Sequence, residues 1–306
     1  MKRISKIGFQ ILAVATFALV ILSGCGSGGS KEKQKEVTQE NPKDMEKVQD
    51  DIKQAEKIFN ALPSPLESAM LIKSAGAPFD RKFLNPIESA KKYTTTRSMA
   101  LNLGIYTCDL SFASLYDQTQ LIIDYMNAAK KMADGLGILD AINQETIEKL
   151  EENINNKDVI LEIVSETFLN SNSYLADNDQ SAVASIVLVG GWIEGLYIST
   201  QLVDLKDFNG NKLVSTIIDQ KLSIDILLNL LTSSKGNPAV DELMTQMTQL
   251  KAVFDKINIK TGPIKTEIDK TTNVTILKSE VSTDMSIDTF KELTKTVASI
   301  RTTFVN

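Results

Sequence analysis

Beyond residue 44, apolar side chains recur every three or four positions over most of the chain, the spacing that puts one face of a helix against a core. Met45, Val48, Ile52, Ala55, Ile58 and Phe59 make the first such stripe, which stops at Leu62-Pro63 because proline has no N–H to continue a helix. Ser64-Pro65-Leu66-Glu67 has the form of a capping box with proline at the first helical position, and Gly76 supplies the stop. Asn85-Pro86-Ile87-Glu88 repeats that start chemistry. Thr96 to Lys131 carries Leu101, Ile105, Phe112, Leu115, Tyr116, Ile122 and Met126, closed by Gly135 and Gly137, and predicts one long helix or two with a bend. Further helices are expected at about 143–154, 157–176, 180–204, 211–232 and 238–257, broken at Asn209-Gly210 and Gly236-Asn237-Pro238. Residues 261–283 alternate loosely around Ile264, Ile268, Val274 and Ile276, which predicts a short β-hairpin or an irregular excursion. Ile287, Phe290, Leu293, Val297, Ile300 and Phe304 then restore helical spacing in a last helix that docks on the rest. The expected fold is all-α, a multi-helix bundle of about ten helices in one domain over 44–306, with short connections favouring antiparallel neighbours.

The start of the chain follows a different pattern. Lys2, Arg3 and Lys6 precede an apolar run from Ile7 to Leu22, shorter than the ~20 residues needed to span a bilayer, so residues 1–24 read as an export signal. The run closes in Leu22-Ser23-Gly24-Cys25, which resembles the lipobox of bacterial lipoproteins. That resemblance covers the first 25 residues. It implies a diacylglyceryl group on the Cys25 sulfur, cleavage before Cys25 and acylation of the new amino terminus, so membrane lipid becomes a partner through Cys25. Several chains together hold a protein stably, at roughly 0.8 kcal/mol per buried methylene. Gly26 stands where an aspartate would resemble an inner-membrane retention signal, which favours the outer membrane, facing periplasm or cell exterior. Residues 25–43 are Gly, Ser, Lys, Glu and Gln with scarcely an apolar side chain, the composition of a flexible tether.

Charge narrows the partners. Loss of residues 1–24 takes three of the 33 basic residues and none of the 39 acidic ones, leaving a formal charge of -9 that repels phosphate backbones. Nucleic acid is therefore not expected, whereas an envelope protein or a small-molecule ligand is. The chain has no histidine, which excludes imidazole triads and histidine-ligated metal centres, and Cys108 has no second cysteine to pair with once Cys25 is lipidated. No cofactor is implied. Asp177-Asn178-Asp179 lacks the rest of an EF-hand loop and reads as a turn and helix cap.

Two segments carry the candidate chemistry. Gly190, Gly191 and Gly195 interrupt an otherwise buried helix around Trp192 and Glu194, so another element either packs there at close range or leaves backbone bared to a ligand. Glu194 inside that run argues against membrane insertion. Asp109 sits with Asn102, Tyr106, Ala113, Tyr116 and Gln120 at three-to-four-residue spacing, which predicts a polar and aromatic stripe, either solvated or holding a carboxylate satisfied by Arg97 or a lysine. The expected ligand site is Tyr106, Asp109, Tyr116, Trp192 and Glu194, in a groove between the helices around 97–126 and 183–204. A non-catalytic binding or assembly component is the leading expectation. Two others stay open: a carboxylate-based hydrolase with Asp109 and Glu194 as acid and base in an open cleft, and a purely structural subunit. Cys108 reads as a small buried hydrophobe, since Asp109 beside it opposes thiolate formation. Gly104-Ile105-Tyr106 with Leu110 and Gly190-Gly191-Trp192 with Leu196 also echo one another at a constant offset.

Overall fold

The computed structural model describes residues 62–139, 144–261, 265–268, 275–278 and 281–306. The export signal, Cys25, the tether and the Met45–Phe59 stripe lie outside the described residues. Nine α-helices are present among those described: α1 Pro65–Ser74, α2 Thr96–Leu115, α3 Thr119–Gly135, α4 Gln144–Glu152, α5 Lys157–Asp177, α6 Ser181–Gln201, α7 Lys212–Thr232, α8 Pro238–Phe254 and α9 Ile287–Val305. The fold is all-α, as the periodicity predicts. The expected capping box closes α1: Ser64 Oγ accepts from Glu67 N–H at 3.1 Å, and Glu67 Oε2 accepts from Ser64 N–H at 2.7 Å. Asn211, Asn237 and Ser286 cap α7, α8 and α9 in the same manner, by accepting backbone N–H groups that have no partner inside the helix.

The stretch from Thr96 resolves into two helices because the chain reverses at Tyr116–Gln118, where Asp117 adopts φ 56°. Between α8 and α9 lie two nested antiparallel pairs: β1 Asn258–Thr261 with β4 Val281–Asp284, and β2 Lys265–Ile268 with β3 Thr275–Lys278. The register runs from Asn258 opposite Asp284 to Ile268 opposite Thr275.

Two helices form the centre. Every residue from Ala100 to Leu115 of α2 is buried, and so is every residue of α6 from Ala184 to Thr200 except Tyr197. A helix apolar all round needs neighbours on all sides. α2 has them in α1, α3, α5, α6 and α9; α6 has them in α1, α2, α5, α7, α8 and α9. α6 is long and apolar enough to cross a membrane, yet 78% of that apolar window is covered by the other helices.

α2 and α6 cross at close range, and glycine makes it possible. A methyl group at Gly104 would overlap Val187 O and lie 2.6 Å from Gly191 N; one at Gly190 would overlap Leu101 O and lie 2.9 Å from the Leu101 carbonyl carbon. Backbone thus rests on backbone. The two echoing segments of the sequence are the two sides of this crossing.

Candidate functional site

The close crossing brings Asp109 on α2 beside Glu194 on α6, and both carboxyl groups are wholly buried. Isolated buried carboxylates are costly, so partners are required. Arg301 on α9 supplies them to Glu194 as a two-pronged pair: Nε donates to Oε2 and Nη2 to Oε1, each at 2.7 Å. The guanidinium also lies 4.5 Å from the Tyr197 ring centre and donates to Phe83 O at 3.4 Å. Burial pulls Arg301 down, but Glu194 outweighs it and holds the guanidinium above its ordinary value. Burial first and Glu194 second push Asp109 well above the usual carboxylate range.

Around this pair runs a polar network that stitches distant parts of the chain together. Asn85 N–H donates to Asp109 Oδ2 at 3.0 Å, and Asn85 Nδ2 donates to Asn102 Oδ1 at 3.0 Å and to the Tyr93 hydroxyl at 3.1 Å. Tyr106 and Tyr125 donate to Pro86 O and Asn85 O, at 3.1 and 3.2 Å. Two carbonyls in the last turn of α9 are satisfied from elsewhere: Asn102 Nδ2 donates to Phe304 O at 2.8 Å, and Tyr93 donates to Val305 O at 3.1 Å. The segment 85–93 is therefore a wedge held by α2, α3 and α9. This corrects the expectation that Asn85 starts a helix: its side chain is spent inside the network, and the segment forms only a 3-10 turn, Ile87–Lys91, with no side-chain cap.

The structure brings together three of the expected site residues, Tyr106, Asp109 and Glu194, and separates the other two. Tyr116 points away and donates to Ala77 O, with its ring beside Phe79 and Phe112. Trp192 faces the opposite side of α6, donating to Gln220 Oε1 at 2.9 Å beside a space of about 10 Å³, room for one water. Gln120 lies on α3 and bonds Asp124. Among the described residues, Asp109 and Glu194 line no open cleft of the kind acid–base work requires: both lie in packed core with no exposed surface. Arg97, one of the cations weighed for Asp109 beside the lysines, lies 3.1 Å from Glu242 instead, off the line of a hydrogen bond. Arg301 was missed as the partner. Its signal is a charged residue at a stripe position, following Val297 by four and preceding Phe304 by three. Cys108 is buried, and desolvation pushes its thiol up, so it stays protonated and unreactive.

A separate apolar cavity of about 60 Å³ lies where α2, α3, α4, α5 and α6 meet, lined among others by Leu103, Leu110, Met126, Val164, Phe168 and Val187. Asn172 is on its wall. The Asn172 amide nitrogen donates to Phe168 O at 2.9 Å, which fixes the amide orientation and leaves Oδ1 buried without a partner. Asn172→Leu removes that unmet acceptor and adds apolar contact, so it is expected to raise the unfolding free energy by about 1 kcal/mol in urea titrations. A loss of stability would show instead that the oxygen is satisfied in solution.

Among the described residues, no three His, Cys, Asp or Glu side chains gather as a metal ion requires. The chain matches no family model, no curated protein and no solved structure.

Proposed function

We propose that this is a lipid-anchored envelope lipoprotein, held through Cys25 in the outer membrane, that acts as a non-catalytic binding or assembly component. The observation that supports the non-catalytic part is the fate of the buried acids. Asp109 and Glu194 are sealed in the core and engaged by Arg301 and Asn85, so their chemistry is turned inward to hold helices together. Such a body offers partners a preorganised surface. The apolar cavity beside α2 and α6 favours binding over a purely structural role, with a small apolar group, from a ligand or from an envelope protein, as its complement. The excess of acidic residues keeps nucleic acid off the partner list.

The anchor carries the setting of this reading, and a single substitution tests it. Cys25→Ala is expected to abolish incorporation of labelled palmitate and to leave the protein out of the membrane fraction of expressing cells. Persistence of both lipid labelling and membrane fractionation in that variant overturns the reading.

A further inference from the structure

Three charged side chains meet in one sealed volume, and their charges do not balance if all are ionised. Glu194 and Asp109 have no exposed surface, and the Arg301 side chain is 11% exposed. The other ionisable groups around Asp109 are the tyrosines Tyr106 on α2 and Tyr125 on α3, the Cys108 thiol on α2 and, in the 85–93 segment, Tyr93. Burial raises all four, so each stays neutral. Arg81 lies at the exposed edge, near Tyr125. One guanidinium thus serves two carboxyl groups.

The hydrogen bonds say which acid is left over. Both Glu194 oxygens are taken by Arg301. Asp109 Oδ2 accepts from Asn85 N–H, while Asp109 Oδ1 is buried with no donor facing it. The acid beside Asp109 is Glu194, which after burial does most to raise it, and two ionised carboxylates have no hydrogen to share between them. A protonated Oδ1 removes both faults: it donates to Glu194, and the sealed volume becomes neutral, one carboxylate to one guanidinium.

We propose that Asp109 is a resident neutral acid whose Oδ1–H donates to Glu194, so that folding takes up one proton from solvent and locks it between α2, α6 and α9. The proton is part of the fold. In the unfolded chain Asp109 loses it near pH 4, the ordinary aspartate value; in the folded chain it is kept well above that. The sign follows. Stability from this group is fully present below about pH 4 and is lost as pH rises toward the folded value, the folding constant falling about tenfold per pH unit over that window.

Infrared spectroscopy of the full chain in lipid nanodiscs at pH 7, with and without carbon-13 aspartate, reads the proton directly. A protonated-carboxyl stretch that shifts with the label and disappears in Asp109→Asn is the expected result. Urea titrations across pH 5 to 8 should show the natural chain losing stability relative to Asp109→Asn by about tenfold in folding constant per pH unit until the proton is released. No label-sensitive stretch, or parallel pH profiles for the two chains, overturns the proposal. So does an Asp109→Asn chain that fails to fold, because the amide is the neutral mimic and keeps a donor for Glu194 and an acceptor for Asn85.

Discussion

Arg301→Met is expected to lower the unfolding free energy by about 3–5 kcal/mol at neutral pH, the usual result of stripping one partner from a buried ion pair. Methionine fills much of the space but takes away the guanidinium that holds both Glu194 oxygens, so the buried acid loses its counter-charge. Replacing both partners, Glu194→Gln with Arg301→Met, should recover much of what the single change loses, since no uncompensated charge stays buried. Urea denaturation of the two variants at pH 7 checks this. A single variant within 1 kcal/mol of the natural chain at pH 7 contradicts the view of the pair as a buried clasp.

The second large effect belongs to the glycine crossing. Gly104→Ala and Gly190→Ala each drive a methyl group into the opposing helix backbone, at Val187 O and Leu101 O. Backbone does not swing aside as a side chain does, so α2 and α6 must separate along their length. Each change is expected to cost at least about 3 kcal/mol, which outweighs the gain of about 1 kcal/mol in helix propensity from replacing glycine by alanine. Gly210→Ala is the contrast: its methyl meets only the Asp207 side chain, 2.7 Å away, and that carboxylate can turn into solvent. It should stay within about 0.5 kcal/mol of the natural chain. Melting temperatures of the three variants, compared by circular dichroism, decide the matter; equal shifts in all three would count against a backbone-to-backbone contact.

Most of the helices are legible in the sequence because their signals are local. The Ser64 capping box, the Asn237-Pro238 start and the Gly135 and Gly137 stop need no knowledge of the rest of the chain. Glycine spacing in α6 likewise announces a close approach, since the propensity cost of Gly190, Gly191 and Gly195 demands a packing reason. What the sequence withholds is pairing. That Glu194 meets Arg301, and that Asn85 faces Asp109 and Asn102 instead of capping a helix, depends on contacts across 107, 24 and 17 residues. Periodicity ranks Asn102, Tyr106 and Asp109 on one side of α2 but is silent on whether that side meets water or another helix. For Gln120 it misleads because the turn at Asp117 resets the face, and Tyr116, at the end of α2, is drawn to Ala77 O instead.

The clasp also sets a clock on biogenesis. Glu194 leaves the ribosome 107 residues ahead of Arg301, an interval of roughly 5–20 s at ordinary elongation rates. Until then the central helix carries an acid with no base, and the carbonyls of Phe304 and Val305 that Asn102 and Tyr93 will seal do not yet exist. The nascent body therefore stays unfinished until its last helix is made.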